Sequence, residues 1–289
     1  MLTGVAALGG ATPAWCIRPV VIPIGTMSEA EIDAAQPCAT TVARLNLSPA
    51  VVVVDFPTLR EQGLTLNRVA ALVEKAQTPR NRVLDDVALN EAIANCGETV
   101  ESYYYGHDYK AADLARFFGL AAAEHITLNR QELWLAALVR QLGWLAPGAN
   151  GALITLPAAT PPVTEEMRAV ILHHEIAHGA YFTEPAYAAY TEAFWNRLSA
   201  PERADFQGFL GGQGYDANNL DLMRNETQAY LVFTRDPDFF TAAAVGMTAA
   251  EVDGLRGRFI AQMPDIWLKP LAREALPVGQ AASVCEARN

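Results

Sequence analysis

Apolar and polar positions along the chain follow two rhythms. The β-branched run Val51-Val52-Val53-Val54, ending at Asp55 and Pro57, predicts a buried strand. Residues 152–156 predict a second short apolar strand, bounded by Pro147-Gly148-Ala149-Asn150-Gly151 before it and by Pro157, Pro161 and Pro162 after it. Between these runs the period lengthens. Leu66, Val69, Ala70 and Val73 predict a helix over 66–76, and similar spacing predicts helices over 84–94, 111–122 and 130–145. Ser28-Glu29-Ala30-Glu31 has the form of a capping box, with Pro37 interrupting the helix it opens. Residues 100–105, with three consecutive tyrosines, predict a strand followed by a turn at Gly106-His107-Asp108. Thr65-Leu66-Asn67-Arg68 recurs as Thr127-Leu128-Asn129-Arg130, too short for a repeat and consistent with shared N-cap chemistry.

The second half reads as helix after helix. Thr164 is placed to cap a helix whose first turn holds Glu165 and Glu166, favoured beside the positive end of the helix dipole. Thr183-Glu184-Pro185 ends that helix and starts another running to 198. Further helices are expected over 201–209, 221–234 and 249–263, with a break at Gly211-Gly212-Gln213-Gly214. The pattern predicts a helix-rich α+β fold, with a small mixed sheet in the N-terminal half, a mainly helical C-terminal half, and any active site between them. The expected organisation is a leader-like segment at 1–15, an N-terminal α/β region at 16–150 and a C-terminal region at 151–289, the last two packed as one unit.

A formal net charge of −11 and a pI near 4.9 disfavour nucleic acid and anionic membrane surfaces as partners. No apolar run reaches the length of a membrane span. Residues 1–15 are apolar and uncharged, with Thr12-Pro13-Ala14 resembling a signal cleavage site but no basic region before it. Export to the periplasm or the medium is the expectation, with the cytoplasm as the alternative. Four widely spaced cysteines fit an oxidising compartment, and the expected pairs are Cys38 with Cys96 and Cys16 with Cys285.

The candidate chemistry sits in Ile171-Leu172-His173-His174-Glu175-Ile176-Ala177-His178-Gly179. His174 and His178 are four residues apart, so on a helix they share a face and two imidazoles can reach one metal ion. Glu175 is set one position round, beside such an ion. Between Met167 and Ala180 only Arg168 and Glu175 are charged, which predicts a buried helix in which two histidines need a partner.

This stretch resembles the active-site helix of the zincin metallopeptidases. The resemblance implies Zn2+ as cofactor, a peptide or protein as substrate, and Glu175 as the general base that deprotonates a zinc-activated water. It also implies a third protein ligand. Asn225-Glu226-x-x-Ala229-Tyr230 resembles the glutamate-bearing helix of the gluzincin, thermolysin-like group and makes Glu226 the expected ligand, with Glu184 and Glu192 as competitors. Tyr230 stands where that group often has an aspartate bracing a histidine. By the same resemblance, 152–156 would be a sheet edge against which an extended peptide pairs, with a core strand covered on both sides as the alternative. An oxyanion donor is also needed; Tyr215 is the expected residue, and Tyr230, Tyr181 and His107 compete. A metal-dependent amidase acting on a cell-wall-type substrate and an inactive zincin-like binding module are the alternative readings.

Overall fold

The computed structural model describes residues 21–274. In chain order, β1 (Gly25–Met27) and α1 (Glu29–Asp33) precede β2 (Thr41–Leu45) and β3 (Ser48–Phe56), followed by α2 (Leu59–Val73) and α3 (Asp86–Asn95). Next come the short strand β4 (Asp108–Lys110), α4 (Ala111–Ala123), α5 (Arg130–Gln141) and β5 (Ala152–Pro157). From there the chain is helical: α6 (Glu165–Thr183), α7 (Pro185–Arg197), α8 (Ala200–Gly212), α9 (Leu220–Gln228) and, after a π-helical turn at Ala229–Phe233, α10 (Ala249–Gln262). The result is a mixed α+β fold, rich in helix, with a small five-stranded mixed sheet.

Alternation along the two longest strands sorts their side chains into two cores. Val51 and Val53 join Ala152, Ile154 and Leu156 under Ile171, Leu172 and Ile176 of α6. Val52, Val54, Phe56 and Leu153 face the other way, onto Leu66 and Val69 of α2, Leu114 and Phe117 of α4, and Leu135 and Leu138 of α5. A strand covered on both faces has no polar side, which is why the valine run is uninterrupted. Helix α6 lies so close to β3 that a Cβ on Gly179 would stand 2.8 Å from Val51 Cγ1, so this face of the helix has room only for glycine.

The strand order is β1-β2-β3-β5-β4. Strand β5 runs parallel to β3, pairing Val51 with Ala152, and antiparallel to β4, pairing Asp108 with Ile154. It is therefore an inner strand. The expectation that 152–156 offers a free edge to a peptide is overturned: both of its hydrogen-bonding sides are taken by the chain itself. Because β5 enters between β3 and β4, the regions on either side of residue 150 share one sheet.

Other expectations are corrected by local hydrogen bonding. Residues 100–105 form turns, and the strand follows at Asp108–Lys110, where a turn was expected. Thr99 and Ser102 explain the change, since each side chain binds the other's backbone N–H, at 2.9 and 3.2 Å, and withdraws those groups from any ladder. Helix α2 starts earlier than its apolar period suggested, capped by Thr58, so Thr65, Asn67 and Arg68 lie mid-helix and only Asn129 caps a helix. Cys96 is a free, exposed thiol, so the Cys38–Cys96 bridge is not formed; Cys38 is partnered elsewhere. The leader-like segment 1–15, Cys16 and Cys285 lie outside the described residues. Among the described residues no helix is long and apolar enough to cross a membrane.

Candidate metal centre

The N-terminal end of α6 is set by Thr164, whose hydroxyl accepts from Met167 N at 3.1 Å, with Glu165 and Glu166 in the first turn. His174 and His178 then fall one above the other, and their Nε2 atoms are 2.9 Å apart. Helix α9 brings a carboxylate to the same point, with Glu226 Oε2 3.5 Å from His174 Nε2 and 3.7 Å from His178 Nε2. One ligand atom from each of the three residues thus lies within 4.8 Å of the others. Glu184 and Glu192 are engaged elsewhere: Glu184 accepts from Trp267 Nε1 at 2.9 Å, and Glu192 pairs with Arg224 at 3.0 Å.

These atoms lack partners they ought to have. Both carboxylate oxygens of Glu226 are buried without a well-formed hydrogen bond, the Tyr215 hydroxyl only approaching them, and Glu175 Oε2 is buried without one too. Burial pushes the imidazole of His174 down to about 3 and that of His178 to about 4, so both rings are neutral and bring lone pairs to the site. A single divalent cation would satisfy His174 Nε2, His178 Nε2 and the Glu226 carboxylate together, leaving Glu175 beside it. Donors bonded to zinc at about 2 Å with tetrahedral angles stand about 3.3 Å apart. The observed separations of 2.9, 3.5 and 3.7 Å bracket that value.

Surrounding groups fix which nitrogen faces the site. Thr234 Oγ1 donates to Ala229 O at 3.1 Å, so towards His174 Nδ1, 2.8 Å away, it accepts. The proton of His174 is thereby assigned to Nδ1 and the lone pair to Nε2. The π-helical turn makes this contact available. In a continuous α-helix, Thr234 would sit about 80° round from Glu226; one inserted residue returns it to about the same face, two turns on. The inserted turn is marked by Thr234 N donating to Ala229 O at 3.0 Å. His178 Nδ1 lies 3.7 Å from Asp108 Oδ2, a carboxylate that also accepts from Asn225 Nδ2 at 3.2 Å. Where the resemblance led one to look for an aspartate on α9, the acid beside the histidine comes from β4.

Glu175 borders a cavity of about 450 Å³ whose wall also includes His174, Tyr104, Tyr215 and Tyr230. Its carboxylate rests on Gly106, where a Cβ would be 2.0 Å from Glu175 Oε1, so any larger residue there would displace the acid. Burial, followed by the nearby Glu226 and Glu74, holds the Glu175 carboxyl well above the usual range. Glu226 is raised by burial too, opposed by His178 and the Tyr215 hydroxyl.

Among the tyrosine candidates, Tyr215 lines the cavity, and burial pushes its hydroxyl well above its ordinary value, so it remains a neutral donor. Tyr230 also lines the cavity and sets its ring edge-on to His174 at 4.7 Å. Tyr181 donates to Asp221 at 2.6 Å instead, and His107 is buried against Tyr109 OH at 3.0 Å. His173 is turned away from the site and pairs with Glu29 of α1. Sequence reasoning missed Asp108, Thr234, Glu74 and Lys75, and no local signal marks any of them.

Comparison with family models, curated proteins and solved structures finds no match for this chain. The chemistry is read from these side chains alone.

Proposed function

We propose that this chain is a zinc-dependent hydrolase of peptide bonds, with His174, His178 and Glu226 as metal ligands and Glu175 as general base. One observation carries the reading: a His–His–Glu donor set, with both oxygens of its buried glutamate unpartnered, reaches through His174 the cavity that also holds Glu175, a buried carboxylate whose Oε2 is unpartnered. Zinc bound there would supply Lewis acidity to a water and to the scissile carbonyl.

The chain's own groups do the rest. Glu175, seated on Gly106, accepts a proton from the attacking water and returns it to the leaving nitrogen, work suited to an acid whose affinity for protons has been raised by burial. Tyr215, held neutral, donates a hydrogen bond to the oxygen that gains charge as the carbonyl is attacked. Thr234 keeps His174 in the tautomer that presents Nε2. A peptide reaches these groups through the cavity beside Tyr104 and Gly106, since β5 has no free edge.

The test is cleavage of quenched peptides by zinc-loaded wild type and Glu175→Gln. The variant is expected to hold the same zinc per chain by elemental analysis while losing about 10²- to 10⁴-fold in rate. Equal rates in the two proteins would remove Glu175 from the mechanism.

A further inference from the structure

Lys75 follows the last turn of α2 and is only 5% exposed, yet it forms part of the cavity wall. Its ammonium stands 4.4 Å from the centre of the Tyr103 ring and 4.0 Å from that of Tyr104. Among the described residues it makes no ion pair or hydrogen bond beyond these two aromatic faces. The acid nearest in sequence on the cavity rim, Glu98, is exposed and accepts instead from Ser102 Oγ. Two aromatic faces offset only part of the desolvation of a buried ammonium, so the group lacks an anion.

The lysine is also held in place. Lys75 O accepts from Arg80 Nη2 at 2.6 Å and from Thr78 Oγ1 at 2.8 Å, and the strand-like bridge to Tyr215 ties its backbone to the segment that closes the cavity. Gly214 stands against the ammonium, where a Cβ would be 3.3 Å from Nζ. Burial lowers the lysine's proton affinity, while Cys96, Glu74 and Glu98 raise it. Of the residues lining the cavity, Lys75 is the one lysine or arginine.

We propose that Lys75, caged by Tyr103 and Tyr104, is a subsite for a carboxylate of the substrate, so that the cavity selects peptides presenting a negative charge to that wall. The inference rests on the cavity being the substrate site of the hydrolase described above. The carboxylate can come from a peptide C-terminus or from an acidic side chain, and the same cation recognises both.

Binding to zinc-loaded Glu175→Gln protein, measured by calorimetry, tests the subsite without turnover. The probes are N-acetyl-alanyl-phenylalanine as free acid, the same peptide as its amide, and N-acetyl-glutamyl-phenylalanine amide. The free acid is expected to bind about 10- to 100-fold more tightly than its amide, as for a hydrogen bond to a charged group. The glutamyl amide matches the acid if both sources are accepted, exceeds it if only the side chain is, and matches the neutral amide if only the C-terminus is. Adding Lys75→Met should bring all three probes within about twofold of one another at unchanged zinc content, and Lys75→Arg should keep the preference. Neither the free acid nor the glutamyl amide binding more tightly than the neutral amide, before any change at Lys75, would overturn the subsite, and this comparison needs no lysine variant to fold. A preference that survives Lys75→Met would overturn it too, by assigning the carboxylate to the metal. Lys75-dependent acid binding in a wild-type protein that cleaves no peptide would instead remove the hydrolase reading and support the subsite alone.

Discussion

Arg168 and His174 lie on the same buried helix and are finished in opposite ways. Arg168 uses all five of its N–H donors: two reach Asp55 Oδ1 and Oδ2 at 2.8 and 2.7 Å, and three reach the carbonyls of Asp33, Ile32 and Pro157. It clamps α1, β3 and the end of β5 to α6, and nothing about it is left open. From less than two turns further on, the same helix carries His174, Glu175 and His178 to meet Glu226 of α9, and here Glu175 Oε2 and both oxygens of Glu226 are buried with no donor. A buried polar group with every bond made belongs to the fold. A cluster of them with bonds missing points to something the chain is built to receive.

That contrast can be broken at either end. The largest effect is expected at the finished end, where Arg168→Met leaves Asp55 buried without its partner and should cost about 3–5 kcal/mol in denaturant unfolding. Burial already raises the Asp55 carboxyl, against the pull of Arg168. A loss under about 1 kcal/mol would mean that the clamp is not holding the layers together.

At the open end, stability should respond to metal rather than to contacts. Zinc at about a hundred times its Kd should stabilise the wild type by about 2.7 kcal/mol, read as a rise in Tm, and Glu226→Ala should abolish the rise. If the variant gains as much as the wild type, Glu226 is not a ligand. Smaller still is the effect of Thr234→Val, which removes the acceptor for His174 Nδ1–H and should weaken zinc about 10- to 100-fold in competition with a chelating dye. Unchanged affinity would show that the tautomer is fixed by something else.

The smallest effect is one of pH. Burial, then the charge of Glu226, pushes the Glu74 carboxyl up to about 8, against Tyr104 and Lys75. An acid whose folded pKa lies above its unfolded one contributes stability that is complete below the unfolded value and lost as pH rises through the folded one. In metal-free protein, Glu74→Gln should therefore leave Tm nearly unchanged at pH 4 and raise it relative to wild type at pH 8.5. A benefit greater at pH 4 than at pH 8.5 would reverse the sign and remove Glu74 from the buried acid cluster.

Much of this molecule is written locally. The Ser28 capping box, the Thr164 cap, the valine strand, the Pro185 helix start and the four-residue spacing of His174 and His178 depend on neighbours within a turn or two, and each forms where its pattern lies. The two local readings that failed are also instructive. Residues 100–105 looked like a strand because aromatic content suits one, but Thr99 and Ser102 satisfied the backbone first. Thr65-Leu66-Asn67-Arg68 looked like a helix start and lies mid-helix, because Thr58 caps α2 earlier.

Alone, the sequence determined that two histidines and a glutamate would share a buried helix, since helical geometry and apolar flanks require only adjacent residues. Only the tertiary structure decided that Glu226 rather than Glu184 or Glu192 stands beside the two histidines, that β5 is an inner strand, that Asp108 lies behind His178, and that Thr234 and Lys75 line the cavity. The reason is physical. Which carboxylate reaches a histidine, and which strand edge is covered, depend on how layers pack and where their partners lie, often dozens of residues away. A one-residue change of helical turn near Ala229 is enough to alter which side chain arrives.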